Sequence, residues 1–149
     1  MGYTVEFDPK TMSRALGKEL PISPKKSEEV CRAIRGMHVD DARQFLEGVV
    51  ELKKAVPFRR HKKYIGHKKG VGPAAYPVKV AKEILRLLDG AQSNAEAGGL
   101  DSEEMKIHTI SASRGQPDKF YRPRAQGRSS PWFHEKTNVE VVLEVIEEE

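Results

Sequence analysis

The sequence lacks the features on which membrane-spanning, secreted and cysteine-based zinc proteins depend. A single cysteine among 149 residues excludes an internal disulfide framework and a zinc site built from cysteines. The longest unbroken apolar runs are three residues long, Ala74–Tyr76 and Val141–Leu143. A membrane span needs about 20 apolar residues, and the core of a signal peptide about 7–15. We therefore expect no membrane partner, no signal peptide and a cytoplasmic location.

Length and composition are those of one globular domain. The 149 residues fall within the roughly 100–200 that one domain usually has. Charged residues make up 32% of the chain and hydrophobic residues 38%, which is polar but not typical of disorder. We expect a single domain over residues 1–149, with the acidic end, Glu147–Glu149, as a solvated tail.

Positive charge is concentrated in two segments, although the net charge is only +4. Residues 57–82 contain 8 Lys or Arg and no Asp or Glu, and residues 112–138 contain 6 and 2. The rest of the chain is net negative. Attraction to a polyanion depends on the local potential rather than on the net charge. The two segments together therefore predict a surface that binds a polyanion.

The middle of the chain is predicted to form three helices. Ser23 and Pro24 mark the first start, because a hydroxyl can cap free N–H groups and proline suits the first helical position. Its apolar positions recur at helical spacing up to Gly36, which is placed to end it: Val30, Ala33, Ile34 and Met37.

The second and third helices follow from the same signals. The second is expected to start near Val39, and two aspartates suit its first turn. The third is expected to start at Pro77 and to stop at Gly98-Gly99.

Two strands and a long hairpin are predicted for the last third of the chain. Apolar residues alternate with polar ones over residues 105–112, and residues 139–146 carry one strongly apolar face. If these strands pair, the chain between them, about residues 113–137, must extend from the core as a long hairpin. Tyr3, Val5 and Phe7 also alternate and suggest a short strand near the start.

The extended hairpin is the first candidate binding site. It holds four of the ten aromatic residues, interleaved with arginines and lysines. Guanidinium groups bridge phosphates, and aromatic rings stack on unpaired bases, so this mixture favours RNA. The alternative is a solvated hairpin whose aromatic side chains pack locally. The predicted RNA contacts are Arg114, Lys119, Tyr121, Arg122, Arg124, Arg128 and Trp132.

The second candidate site is a basic loop over residues 56–76. A long loop in a compact chain is usually functional or disordered. The alternatives are a targeting tag or a merely solvated loop. The two histidines have no acidic or cysteine neighbour in the loop and are interpreted as phosphate contacts rather than metal ligands. The predicted RNA contacts are Arg59, Arg60, His61, Lys62, Lys63, His67, Lys68 and Lys69.

Catalytic interpretations find no support in the sequence. Residues 70–75 match a G-x-G-x-x-A pattern, but a lysine-rich loop precedes it where a dinucleotide site needs a strand. Cys31 sits among apolar residues and is predicted to be a small core side chain. No pair of carboxylates lies in an apolar setting of the kind that acid–base catalysis uses. We predict no enzyme, no cofactor and no metal.

Four motifs carry a family resemblance in their order and spacing. They are Ile22-Ser23-Pro24-Lys25-Lys26, Ile34-Arg35-Gly36, Asn94-Ala95-Glu96 and Arg122-Pro123-Arg124-Ala125-Gln126-Gly127-Arg128. Over nearly the whole chain, the sequence resembles the universal large-subunit ribosomal protein family numbered twenty-two. The insertion with Val56-Pro57-Phe58-Arg59-Arg60 is similar to its archaeal and eukaryotic branch, as is Asn94-Ala95-Glu96 with Gly99-Leu100.

The resemblance implies an α+β fold, with three helices packed on a small antiparallel sheet of about three strands and one very long β-hairpin. In that family the body sits near the polypeptide exit, on the outside of the large subunit. The hairpin passes through the rRNA and helps form the wall of the nascent-chain tunnel, near the constriction shared with ribosomal protein four of the large subunit.

The resemblance also implies roles for particular residues. Lys25 and Lys26 would face rRNA at a helix start. The return arm, residues 130–136, is less basic than that of bacterial members, so stacking by Trp132 is expected in place of phosphate contacts. The implied tunnel-lining tip is Arg122, Pro123, Arg124, Ala125, Gln126, Gly127 and Arg128.

These interpretations together predict a structural rRNA-binding protein of the large ribosomal subunit. The expected partners are large-subunit rRNA, neighbouring large-subunit ribosomal proteins and the nascent polypeptide, without homo-oligomerisation. The alternative function is a free-standing RNA- or DNA-binding regulator that uses the same hairpin. A small nuclease comes third, because no acid, metal site or nucleophile supports it.

Overall fold

Helices and strands alternate irregularly along the chain, as expected for an α+β protein. The computed structural model describes residues 3–102 and 104–146. The described elements are β1 (Met12–Leu20), α1 (Pro24–Ile34), α2 (Val39–Val50), β2 (Val56–Pro57), β3 (His67–Lys68), β4 (Gly72–Ala75), α3 (Val78–Ala97), β5 (Met105–Arg114), β6 (Asp118–Pro123), a 3₁₀ turn (Ala125–Gly127), β7 (Ser129–His134) and β8 (Thr137–Val145).

The main sheet has three antiparallel strands in the order β1-β8-β5. Strand β8 lies in the centre, and its apolar face packs into a core shared with all three helices through Val139, Val141 and Leu143. The predicted α+β fold, with three helices on a small antiparallel sheet, is confirmed.

The second face of β8 is also covered, which its alternating sequence did not predict. Glu140 and Val142 are both buried. The start of the chain lies against this face, because Thr4 donates its backbone N–H and its hydroxyl to the Glu140 carboxylate. The first strand is β1, and Tyr3 to Phe7 form no strand, so that expectation was wrong.

The helix starts agree with prediction, but their caps differ. Ser23 occupies the N-cap position of α1 with Pro24 next to it, yet the Ser23 hydroxyl caps no backbone N–H. At α2 the cap is His38, whose Nδ1 accepts a hydrogen bond from the Asp40 backbone N–H at 3.3 Å. Gly36, between α1 and α2, has φ +78°, a left-handed conformation that glycine adopts readily.

The predicted hairpin is present as strands β6 and β7, which pair from Asp118↔His134 to Pro123↔Ser129. The turn at its tip places Gln126 at φ 60° and Gly127 at φ 68°. Nearly every residue of both strands is exposed. The base joins the main sheet through a hydrogen bond from the Gly115 N–H to the Lys136 carbonyl, 2.8 Å long.

Residues 56–76, called the basic segment from here on, were predicted to be a loop but contain three short strands. Strands β2, β4 and β3 form a second small antiparallel sheet within residues 56–75. Val56 and Phe58 belong to the hydrophobic core and anchor the segment on the body, and Ala74 is also buried. The lysine-rich stretch between β2 and β3 lies at the surface.

Removing the hairpin tip is expected to leave the body folded. Replacing Gln116–Glu135 by Asn-Gly keeps the hydrogen bond between Gly115 and Lys136 and supplies a turn whose twist matches that of paired strands. The salt bridge between Lys136 and Asp118 is lost, but partly exposed pairs contribute about 0–1 kcal/mol. We expect cooperative thermal unfolding near the temperature of the full chain, measured by circular dichroism. Loss of cooperativity would show that the arm stabilises the body.

Among the described residues, no helix is long and apolar enough to cross a membrane. The predicted solvated tail, Glu147–Glu149, lies outside the described residues.

Candidate nucleic-acid interface

The hairpin presents two chemically different faces, because side chains alternate along paired strands. One face carries Phe120, Arg122, Trp132 and His134. On it the Arg122 guanidinium lies 4.0 Å from the centroid of the Trp132 ring, and the rings of Phe120 and His134 meet edge to face at 4.9 Å. On the other face, the rings of Tyr121 and Phe133 meet edge to face at 6.3 Å.

These aromatic side chains are about half exposed rather than packed into a core. Trp132 and Phe133 are each 47% exposed and Tyr121 is 61% exposed. The local packing that the alternative interpretation assumed therefore exists, but it leaves large ring surfaces open to solvent. Ring faces of this kind stack on unpaired bases and tolerate any sequence.

The tip carries three guanidinium groups and no acid. The stretch between Asp118 and Glu135 contains no acidic residue. The Arg124 backbone N–H donates to the Arg128 carbonyl at 2.8 Å, and the Arg124 Nε donates to the Ser130 hydroxyl at 2.7 Å. These bonds hold the turn, and Arg124 remains exposed.

The basic segment contains no acidic residue of its own, but two glutamates of α1 bind it. Glu29 of α1 is buried and accepts backbone hydrogen bonds from Arg59, Arg60 and His61 at 3.1, 2.7 and 2.8 Å. Burial alone would raise the pKa of Glu29, but these hydrogen bonds hold it below its ordinary value.

Glu28 pairs with two of the predicted RNA contacts. Its carboxylate lies 2.9 Å from the Arg60 guanidinium and 2.7 Å from His61 Nε2. The hydrogen bond from His61, with help from Arg60, lowers the pKa of Glu28. Arg60 and His61 are thus already partnered in the free chain, so an RNA phosphate would have to compete with Glu28 for them.

Other cations of the segment lie at the surface, among them Lys62, Lys63, Lys68 and Lys69. The Lys63 ammonium lies 5.2 Å from the Tyr64 ring centroid, and the Lys68 ammonium lies 5.4 Å from that of Tyr76. Tyr64 is almost fully exposed. Cations and open rings therefore occur side by side here, as they do on the hairpin.

The predicted contacts from three parts of the chain meet at the start of α1. A cavity of about 210 Å³ is bordered by Lys25, Arg60 and Arg114, together with Glu28 and His61. Lys25 comes from α1, Arg60 from the basic segment and Arg114 from the end of β5. Three cations against one carboxylate give this groove a net positive charge, which suits a phosphate group.

Lys26 points away from that groove and meets a residue that the sequence-based site did not include. It borders a separate cavity together with Lys79 of α3 and Tyr76. The acid-free run of residues 57–82 contains Lys79 and could have indicated it. The helical pattern that begins at Pro77 concerns its apolar residues and carries no prediction for Lys79.

Metal and thiol chemistry find no site in the part of the chain that the structure describes. No group of three or more His, Cys, Asp or Glu side chains there could hold a metal ion. Cys31 is buried, as predicted for a core residue, and burial raises the pKa of its thiol to about 12. That thiol stays protonated at neutral pH and is a poor nucleophile.

Comparison with known proteins gives one consistent result. The family model described as ribosomal protein L22p/L17e matches residues 15–144. The large ribosomal subunit protein uL22 of Methanococcoides burtonii is 51% identical over 142 residues, which cover 95% of this chain and 94% of that protein. The uL22 proteins of Methanocaldococcus jannaschii and Archaeoglobus fulgidus are each 46% identical, over 95% and 89% of this chain and 93% and 88% of their own lengths.

Proposed function

The chain belongs to the ribosomal protein L22p/L17e family, and on that basis we propose that it binds large-subunit rRNA and that its hairpin helps form the wall of the polypeptide exit tunnel. Family membership makes it a structural, non-enzymatic protein of the large ribosomal subunit, located with the ribosome in the cytoplasm. The sequence-based assignment to this family is thereby confirmed. The proposal concerns the rRNA contacts and the tunnel.

The hairpin is the observation that carries the proposal. Its strands β6 and β7 are exposed on both faces and combine open aromatic rings with cations. In solution, three guanidinium groups at the tip repel one another and have no acidic neighbour between Asp118 and Glu135. Surrounded by RNA, each guanidinium can bind a phosphate, so the arm is suited to a binding partner that encloses it.

The basic segment and the start of α1 provide the rest of the proposed rRNA surface. The groove bordered by Lys25, Arg60 and Arg114 lies at the base of the arm and is suited to a phosphate near the point where the arm leaves the body. The rings on the arm would stack on unpaired bases. Neighbouring ribosomal proteins and the nascent polypeptide are the further partners that we propose, with the chain present as a single copy.

The alternative, a free-standing RNA- or DNA-binding regulator, would use the same cations and rings. The two functions differ in where the protein is found. A structural protein co-sediments with large subunits after a high-salt wash, whereas a regulator is released by the wash and remains in the supernatant.

The tunnel role is tested by reversing the charge of the tip. Substituting Arg122, Arg124 and Arg128 by Glu is expected to alter stalling by nascent peptides in translation in vitro, because the reversed charges face the rRNA and the peptide. Hydroxyl-radical footprinting of assembled subunits should show that the tip of the unsubstituted protein is protected.

A matched control changes three exposed lysines that lie outside residues 57–82 and 112–138 to Glu. They are Lys10, Lys18 and Lys54. This variant has the same net charge as the tip variant and should stall normally. A tip that stays accessible in the subunit, together with normal stalling in the tip variant, would contradict the tunnel role and leave a general rRNA-binding protein.

A further inference from the structure

We propose that the cavity between the starts of α1 and α3 binds a single unpaired nucleotide of RNA. This cavity has a volume of about 370 Å³ and is bordered by Ile22, Ser23, Lys26, Tyr76, Pro77 and Lys79, among others. The inference rests on the proposed rRNA binding. It concerns a site separate from the hairpin and from the lysine-rich stretch between β2 and β3.

The lining of the cavity is suited to the flat ring and polar edges of a base. Ile22 and Val80 are each 2% exposed and Pro77 is buried, so these side chains are fixed by the core beneath them. Tyr76 is only partly buried and supplies an aromatic side chain at the opening. The lining combines these apolar side chains with convergent polar groups from Ser23, Lys26 and Lys79. A nucleotide needs both, because its ring faces stack on an aromatic side chain and its edges and phosphate are polar.

The charged groups at the opening are all cations. Lys26 and Lys79 are both exposed, and no residue that borders the cavity is acidic. The Lys68 ammonium, 5.4 Å from the Tyr76 ring centroid, adds a third positive charge nearby. A phosphate attached to the bound ring would meet two or three ammonium groups.

Both cavity lysines also occupy positions that their helices disfavour. Lys26 lies in the first turn of α1 and Lys79 in the first turn of α3, where the helix dipole favours negative charge. Neither first turn contains an acidic residue that could offset this. A local arrangement that opposes helix stability in two helices at one cavity is typical of a functional site.

An unpaired nucleotide can contact both the lining that suits a base and the lysines that suit a phosphate. This distinguishes it from the other ligands considered. Inorganic phosphate would meet the lysines but leave the apolar wall unused. A paired base cannot leave its stack without losing its pairing, so a duplex would offer only its phosphates. A nucleotide in a loop or bulge presents its base and its phosphate together.

The test uses the full chain and a single-stranded RNA oligonucleotide that carries 4-thiouridine. Irradiation should crosslink the RNA to the peptide that contains Tyr76 as well as to the hairpin, as identified by mass spectrometry. Changing Lys26 and Lys79 to Ala should reduce the Tyr76 crosslink about tenfold or more, because two charge-assisted contacts to the phosphate are lost, while the hairpin crosslinks remain. Changing Lys10 and Lys18 to Ala serves as the control and should alter neither.

A second variant separates binding from folding. Changing Lys26 and Lys79 to Glu should raise the melting temperature, because acids suit the first turn of a helix, and should abolish the Tyr76 crosslink. Hairpin crosslinks without any crosslink at Tyr76 would overturn this inference and leave the proposed rRNA binding intact. Absence of both crosslinks would overturn the two together. Stronger competition by an acidic aromatic peptide than by uridine monophosphate would also overturn the inference, because the cavity would then be a protein-docking site.

Discussion

Raising the salt concentration from 50 to 200 mM is expected to weaken binding of this protein to large-subunit rRNA fragments by about 10³–10⁵-fold. Residues 57–82 and 112–138 together carry 14 positive charges against 2 negative ones. If roughly 6–10 of these meet phosphates, the counterions released on binding produce a salt dependence of this size. Fluorescence anisotropy with a labelled rRNA fragment at several salt concentrations measures the slope.

Substituting Ala for four cations of the basic segment, Arg59, Arg60, Lys62 and Lys63, should flatten this slope and leave the fold intact. Each lost phosphate contact reduces the slope by about 0.7–0.9. The structure predicts unequal contributions, because Arg60 is paired with Glu28 at 2.9 Å whereas Lys62 and Lys63 are exposed. Lys62→Ala alone should therefore flatten the slope more than Arg60→Ala does. An unchanged slope in the four-site variant would place the phosphate surface elsewhere.

Substitution of Glu29 by Ala is expected to lower the free energy of unfolding by about 3 kcal/mol, the second large effect. The buried carboxylate accepts three backbone hydrogen bonds from residues 59–61. Without it, these N–H groups lose their acceptor, and among the described residues only the contacts of Glu28 with Arg60 and His61 still join this segment to α1 by polar groups. Urea denaturation followed by circular dichroism measures the change.

Glu28→Ala is the matched control, because Glu28 is the adjacent residue but is partly exposed and bonds to side chains only. Its loss should lower the free energy of unfolding by about 1 kcal/mol or less. Equal losses in the two variants would show that the backbone hydrogen bonds to Glu29 do not hold the segment.

Lowering the pH should also weaken the hydrogen bonds between Glu29 and residues 59–61. The folded-state pKa of Glu29 lies below the ordinary value of 4.5, so its contribution to stability is fully present above pH 4.5. That contribution is lost as the pH falls through the folded-state pKa, because the carboxylate must then be protonated. A Glu29→Gln variant should show a smaller decrease in stability over the same acidic range, measured by urea denaturation at each pH.

Elements set by local patterns could be predicted from the sequence. Strand β8 could be predicted because its apolar residues alternate with polar ones. Helix α1 could be predicted because Pro24 marks its start and apolar residues follow at helical spacing. Burial of the second face of β8 could not be predicted from the sequence, because the contact between Thr4 and Glu140 joins residues far apart in the chain. The first strand was missed for a related reason. Met12–Leu20 mixes charged and apolar residues and forms a strand because it pairs with β8.

For the candidate site, the residue types could be predicted but not how they are combined. The absence of acids from residues 57–82 indicated a cationic surface, yet Glu28 and Glu29 reach it from a different helix. Which cations share a cavity depends on how elements pack, so the pairing of Lys26 with Lys79 could not be read from spacing. The contacts of Arg60 and His61 with Glu28 likewise depend on tertiary packing.

The hydrogen bond between Gly115 and Lys136 makes the arm continuous with two adjacent strands of the main sheet, β5 and β8. A pull on the tip is therefore transmitted lengthwise into the sheet. Because β8 is the central strand and pairs with β1 on its other side, such a force loads many backbone hydrogen bonds at once instead of opening them in succession. The arm is thus anchored against extraction by the same strands that form the core, so mechanical resistance and thermodynamic stability have a common structural origin.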